Sequence, residues 1–492
     1  MRSLQARFRQ CVVKALGFAW CFATFTATVL PQAAQALPLF ARQTGQNCMA
    51  CHAGGQFPEL TPYGRMFKMT GFTLGQRTNV PISVMGLVSN TRVADTDKTD
   101  NPGADFQMNN QTIIASGSLF LGGKITNNVG AFIQITHNPF DSQADYGSWK
   151  GRTVADNMDI RYADRFIDEK RDLIFGFSFN NNPSVTDPWN TAAAWIQYVP
   201  VPGLSSSQFI DGNAPYPKYS SGGNVAGLNA YAYWNQSIYA ELGGYSTSKG
   251  LTSVASAGLD ASSITQLNGV NPYWRFALNK EWGAHSLMVG TAGMTAQVFD
   301  AADPSALHYY RDTSIDAQYQ YLLDPHSVTA QLVFARNNHR YPDSLVNVPS
   351  AFSDANGNMT LANTSSEDTT DILRAKLTYV YQAKYGGSLG YFSKTGTVNT
   401  ANQNSGYDPA TMTITSDPSA EAPSSRVTGN LTGDPATKGW TIETFWLPTQ
   451  YTRVGIQYTN YSVFNGASQN YDGFGRHASD NNSLIFYLWA AY

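Results

Sequence analysis

From about Pro81 to Tyr492 the chain is a succession of short runs in which polar and apolar residues alternate, each closed by turn-forming residues. Ile315, Ala317, Tyr319 and Tyr321 share one face of such a run, and Asp316, Gln318 and Gln320 share the other. A period of two is that of a β-strand whose faces meet different surroundings. Between residues 374 and 383, Arg374, Lys376, Thr378 and Gln382 alternate with Ala375, Leu377, Tyr379, Tyr381 and Ala383. Met158, Ile160 and Tyr162 face away from Asp159 and Arg161. Phe120 to Thr136 reads as a hairpin around Thr126-Asn127-Asn128, Gly386-Gly387 reads as another turn, and Leu484 to Tyr492 as a last apolar strand ending on an aromatic. Past the N-terminus no apolar run reaches the ~18 residues of a membrane helix.

Composition narrows the class. Charged residues make 14% of the 492, against about 25% in ordinary globular domains. Aromatics make 13%, with 27 Tyr, and there are 42 Gly. So many aromatics exclude disorder. Low charge, many aromatics and a mean hydropathy of only −0.28 occur together in transmembrane β-barrels. A soluble sandwich or propeller is the rival. No fixed-period repeat favours a propeller, and the terminal aromatic and the tyrosines suit a barrel's interfacial girdles. Residues 81–492 number 412; about 26 residues per strand and connection gives about sixteen strands, enough to enclose an aqueous lumen. Residues 199–227, 344–369 and 396–439 read as long extracellular loops, and Asp95, Asp97 and Asp100 as a solvated loop after the first strand.

Residues 1–36 have the form of a secretory signal: Arg2, Arg7, Arg9 and Lys14, then the apolar stretch Ala15 to Leu30, then Ala34-Gln35-Ala36 as a cleavage site. Removing them leaves 28 basic against 35 acidic residues, a net charge of −7, which argues against nucleic acid as a partner. Cys11 and Cys21 leave with the signal. The two that stay form Cys48-Met49-Ala50-Cys51-His52, the C-x-x-C-H attachment signature of c-type haem. Two thiols add to the porphyrin's two vinyl groups, and the adjacent imidazole reaches the iron from one side. A disulfide across two residues is strained, a zinc site lacks further ligands, and a thioredoxin-like dithiol lacks its βαβ setting. Residues 37–80 are too few to wrap a haem as a cytochrome domain does. The expected organisation is therefore a signal (1–36), a monohaem segment (37–80) and a barrel (81–492) whose wall shields the haem segment in the lumen.

Leu37 to Gly45, Cys48 to His52, Phe57 to Arg65 and Phe67-Lys68 resemble the fused monohaem cytochrome–porins, outer-membrane iron oxidases of iron-oxidising bacteria. Thr186 to Asn190, Asn271 to Arg275, and Asn470 to Arg476 through Asp480-Asn481-Asn482 are similar to that family's barrel. The resemblance implies a Gram-negative outer-membrane protein, set in outer-membrane lipid, that takes electrons from extracellular ferrous iron through one haem c. It would pass them to a periplasmic cytochrome or other redox carrier. Two alternatives stand beside this: a diffusion porin whose haem segment is a structural or gating plug, and a cytochrome–porin serving another donor.

Cys48 and Cys51 are the expected haem attachment points and His52 the proximal ligand, its other nitrogen donating to a carbonyl such as that of Pro58 or Pro62. Met66 and Met69 are candidate distal ligands, weighed against packing in an aromatic stretch. Met85, Met108 or His137 in the barrel, or an open site, are the other choices; Met49, inside the attachment loop, is a poor one. Arg42, Arg65 and Lys68 are candidates for haem propionates, or for pairing with Glu59 or lumen carboxylates. The other six histidines are scattered, so no second metal centre is signalled. One-electron transfer needs no acid–base group, which suits the lack of any catalytic triad.

Overall fold

A computed structural model describes residues 38–55, 59–94, 110–143, 149–181, 183–191, 225–256, 266–299, 305–340, 351–353, 359–361, 366–399, 407–408, 413–414, 433–471 and 475–492. The expected signal, Asp95, Asp97, Asp100, Met108 and most of the three long loops lie outside them.

Three short helices come first: α1 (Pro38–Thr44), α2 (Cys48–Cys51) and α3 (Pro62–Met69). Sixteen barrel strands follow. They are β1 (Ile82–Val93), β2 (Thr112–Lys124), β3 (Val129–Gln143), β4 (Trp149–Ile167) and β5 (Asp172–Asn180). A helical turn, α4 (Pro183–Thr186), separates β5 from β6 (Val225–Trp234). Next come β7 (Ile238–Thr247), β8 (Asn271–Trp282), β9 (His285–Phe299), β10 (Leu307–Leu323) and β11 (His326–Arg340). The ring ends with β12 (Glu367–Tyr381), β13 (Tyr385–Gly396), β14 (Thr437–Thr449), β15 (Thr452–Val463) and β16 (Ser483–Ala491). Each pairs antiparallel with its neighbours in chain order, and β1 pairs with β16 from Met85↔Ala491 to Val93↔Ser483, closing the barrel. Two small hairpins, Ala351–Ser353 with Met359–Leu361 and Tyr407–Asp408 with Thr413–Ile414, stand outside the ring.

The alternation read from the sequence is the inside–outside alternation of the wall. On β10, His308, Tyr310, Asp312, Ser314, Asp316, Gln318 and Gln320 are buried inward, while Tyr309 and Ile315 are exposed outward. Leu242, Leu278, Val289, Leu332, Leu377 and Ile442 are exposed likewise. An outward apolar face on a closed ring leaves no backbone group unpaired toward hydrocarbon. Trp234, Trp282, Tyr381, Tyr385 and Trp446 stand exposed at strand ends beside the short turns, as an aromatic girdle does. The chain is an outer-membrane β-barrel of the kind Gram-negative bacteria carry.

The two rims differ. At one, connections span two to four residues; at the other, five to forty-four. In outer-membrane barrels short turns face the periplasm and long loops the exterior. Thr126, Asn127 and Asn128 do form the β2–β3 turn. Gly386 and Gly387 do not form one. Both lie inside β13, and the turn is Gln382 to Lys384, with Gln382 (φ 53°) and Ala383 (φ 49°) left-handed. The alternation from Arg374 accordingly stops at Tyr381. Gly386 is glycine because its cross-strand partner Phe445 lays its ring where a Cβ would project.

Gly386→Leu is expected to destabilise the folded barrel by about 1–3 kcal/mol through overpacking. The readout is the temperature at which the heat-modifiable gel band is lost. Adding Phe445→Ala is expected to restore part of it, and not all, since the Tyr379 carbonyl also stands 2.9 Å from the added Cβ.

Candidate functional site

The helices ahead of the barrel are built by local signals. Asn47 caps α2, its Oδ1 accepting from Ala50 N. Thr61 caps α3, accepting from Gly64 N at 3.1 Å, with Pro62 at the first helical position. The Thr61 hydroxyl also donates to Ala50 O at 2.5 Å, tying the two helices. Gly64 faces the Cys51 carbonyl, and a Cβ there would overlap it, so α2 and α3 cross as closely as backbones allow.

This places Cys48, Cys51 and His52 within one helical turn. Cys48 and Cys51 are not joined to each other. His52 ends α2, its N–H donating to Cys48 O at 2.8 Å, and bridges to Leu60. Cys48 is buried: its N–H donates to Gln450 Oε1 at 3.0 Å and its thiol to Gln450 O at 3.2 Å. Cys51 and His52 are half-buried, and Met49 and Tyr63 beside them are exposed. Burial pushes the Cys48 thiol up to about 12 and the Cys51 thiol to about 11, so both carry their protons at neutral pH. Gln450 lies in the β14–β15 turn, and Gly54 and Gly55 lie against Val380 and Ala383 at the β12–β13 turn. The motif therefore sits at the short-turn rim. Two separate thiols and an imidazole on one helical turn form the donor set a c-type haem takes, and the half-exposed Cys51 and His52 leave that set open on one side.

Downstream, α3 runs toward mid-barrel. Arg65, 2% exposed, donates to Leu60 O (2.9 Å), Gln320 Oε1 (2.8 Å), Ser286 Oγ (2.8 Å) and Glu281 Oε1 (3.1 Å). Arg65 thus pairs with a lumen carboxylate, Glu281. Glu59 instead accepts from Lys376 on β12 at 2.9 Å. Lys68 donates to Asp187 O at 2.6 Å and Asn190 Oδ1 at 3.2 Å, and Arg42 to the Val80 and Ile82 carbonyls. Met69 is buried, and Met66 packs beside it, among Ile174, Trp189, Tyr231, Tyr233, Tyr239 and Met288. Tyr231 donates to Met69 O at 2.7 Å. Met85 packs beside Leu39 and Phe120; His137 is exposed and bonds Thr153. Pro58 lies outside the described residues. Phe40 stacks on Phe72 at 5.6 Å and meets Phe132 of β3 at 6.1 Å. The segment thus touches β2, β3, β4, β6, β8, β9, β10, β12 and the β14–β15 turn.

A second inward element was not foreseen. Beyond α4 the chain holds Asp187, Trp189 and Thr191 fully buried. Asp187 accepts from Thr191 N at 3.0 Å and pairs with Arg275 of β8 at 3.4 Å; Arg275 also pairs with Asp316. Gln318 donates to Trp189 O at 3.0 Å, and Arg161, paired with Asp159, donates to Thr186 O at 2.9 Å. Burial works against the Asp187 charge, but Arg275 and Lys68 outweigh it and hold the carboxyl below the usual range. Asp187, Trp189 and Arg275 were visible only as motif residues. The available signal was a charge at the inward parity of a strand, as at Arg161, Arg275 and Asp316.

Burial, with Arg161 adding like-charge repulsion, pushes Lys68 down to about 8. Its folded value lies below its unfolded one, so burying it costs stability while it is charged. That cost is complete below about pH 8 and is relieved as pH rises toward the ordinary lysine range. Protease resistance of residues 38–75 is expected to rise from pH 8 to 10 in the native chain, relative to Lys68→Met, which lacks the dependence. Parallel pH profiles would contradict the assignment.

No family model matches the chain, and no curated protein matches it. Among solved structures it is similar to a Salmonella typhi OmpF complex with daunomycin (10% identity, TM-score 0.41, 84% of this chain and 97% of that one). It is also similar to the outer-membrane channel DcaP of Acinetobacter baumannii (13%, 0.40, 84% and 96%). A third likeness is to an anion-selective porin from Comamonas acidovorans (9%, 0.38, 84% and 99%). These describe other proteins; the barrel of this chain is established by its own closed ring of strand pairs.

Proposed function

We propose that this porin-like barrel is closed by its N-terminal segment and that the segment carries one covalent haem at the periplasmic mouth. The observation that carries this reading is the C-x-x-C-H turn, its thiols unjoined, seated on the short-turn rim against Gln450. Cys48 and Cys51 hold the group and His52 supplies the proximal nitrogen. When bound, the haem supplies a one-electron centre on the side where a periplasmic carrier docks. Arg65, Glu59 and Lys68 fix the segment in the bore through Glu281, Lys376, Asp187 and Asn190.

A plugged porin is the form of this reading that the barrel supports most directly. Electron uptake from extracellular ferrous iron rests in addition on the motif and on the resemblance to cytochrome–porins. A diffusion porin with a movable plug is the second reading, favoured by the polar inner wall of a sixteen-stranded ring. Buried charged bonds holding the segment count against free passage.

Ferrous salt is expected to reduce the haem of the purified full chain, seen in its absorption bands. Cys48→Ala/Cys51→Ala is expected to lower ferrous oxidation at least tenfold. In planar bilayers the native chain is expected to conduct little, and Arg65→Ala/Lys376→Ala to conduct more. A haem that ferrous iron never reduces, in a chain that conducts freely, would overturn the electron-transfer reading in favour of the diffusion porin.

A further inference from the structure

At the long-loop end, far along the wall from Cys48, two of the scattered histidines come together. His308 is the second residue of β10 and His339 the next to last of β11. Both are buried facing inward, with His308 Nδ1 2.9 Å from His339 Nε2. Tyr310 stacks on His339 with ring centroids 4.1 Å apart and an angle of 13°, fixing that imidazole's plane.

Two carboxylates share this inner face. Asp368 of β12 is the direct cross-strand partner of His339 and accepts from Asn399 at 2.9 and 3.1 Å. Asp312 lies on the diagonal from His339, since its own partner is Asn337. It is 1% exposed; Asn337 bonds its Oδ1, while its Oδ2 has no hydrogen-bond partner. A buried carboxylate with an unused oxygen is costly unless a cation or donor meets it. Arg311 and Arg340 are exposed and supply no inward charge.

We propose that His308 and His339 form a binding site for a divalent first-row transition-metal ion in the lumen wall at the extracellular end. Two nitrogens on one tetrahedral ion stand about 3.3 Å apart, so the pair opens by a few tenths of an ångström to admit it. The imidazoles are held by one shared proton. On binding, that proton moves to the far nitrogen of the ring that carries it, freeing both facing lone pairs with no net change of protonation. Imidazole suits such ions, and Asp312 and Asp368 offset the charge. Among the described residues no group of three His, Cys, Asp or Glu stands ready as a cage; water completes the shell, and binding is reversible. The proposal rests on this geometry alone and is independent of the haem.

The test is equilibrium dialysis of the full chain in detergent against nickel(II). The native chain is expected to hold one more ion than His308→Ala/His339→Ala, and His339→Ala alone to weaken that ion at least tenfold. Ions bound at Cys48 and Cys51 are common to all and cancel. In the native chain nickel is also expected to protect His308 and His339 from diethyl pyrocarbonate, a reading that needs no variant. Equal stoichiometry in native and double-variant chains, or no protection, overturns the proposal.

Discussion

Closure of the ring between β1 and β16 is the constraint on which everything else depends. In hydrocarbon an unpaired backbone N–H or C=O costs several kcal/mol, so the last strand must meet the first. It does so over the register Met85↔Ala491 to Val93↔Ser483, with Tyr492 N–H and Val84 N–H adding bonds at 2.8 Å beyond it. Once the ring is shut, parity along each strand decides the chemistry: odd residues of β10 go to lipid, even ones inward. That is why a chain of low overall charge concentrates Asp159, Arg161, Glu241, Arg275 and Asp316 on one buried face.

A ring of this size is too wide for its own wall side chains to fill. Two other elements bond into it. The segment from α1 to α3 meets strands all round, and the stretch from Thr186 to Thr191 meets Lys68, Arg161, Arg275 and Gln318. The two are coupled, because Lys68 holds Asp187 and Asn190 from one side while Arg275 holds Asp187 from the other. Within this network Lys68, Arg161, Asp187 and Arg275 each meet a partner, as buried charges require. The C-x-x-C-H turn is left outside this network, at the short-turn rim. On the proposed reading the redox centre meets the periplasm directly, and the long path, across a core of about 30 Å, lies on the extracellular side. The inward histidines sit at that far end.

The wall was legible in the sequence because its rule is local: alternation at Ile315–Tyr321 and Arg374–Tyr381 needs no knowledge of neighbours. Length pointed to about sixteen strands without fixing the number, which the closed ring of strand pairs supplies. The Gly386-Gly387 pair misled because glycine pairs usually mark turns, whereas here a cross-strand ring, 59 positions on, sets the residue. The true turn uses Gln382 and Ala383 at positive φ, residue types that give no warning. Partnerships between residues distant in sequence stayed hidden for the same reason: Arg275 with Asp187, Arg65 with Glu281 and His308 with His339 depend on register and curvature. The motif at Cys48 to His52 was legible as chemistry, but nothing local told which rim it would occupy.

The most direct test is the mass of the peptide that spans Cys48 to Cys51, taken from chain matured in a host with c-type haem attachment machinery. The account predicts that peptide with the mass of one haem added and both thiols consumed. Recovering it with free thiols, or as a disulfide, in folded barrel from that host would contradict the account.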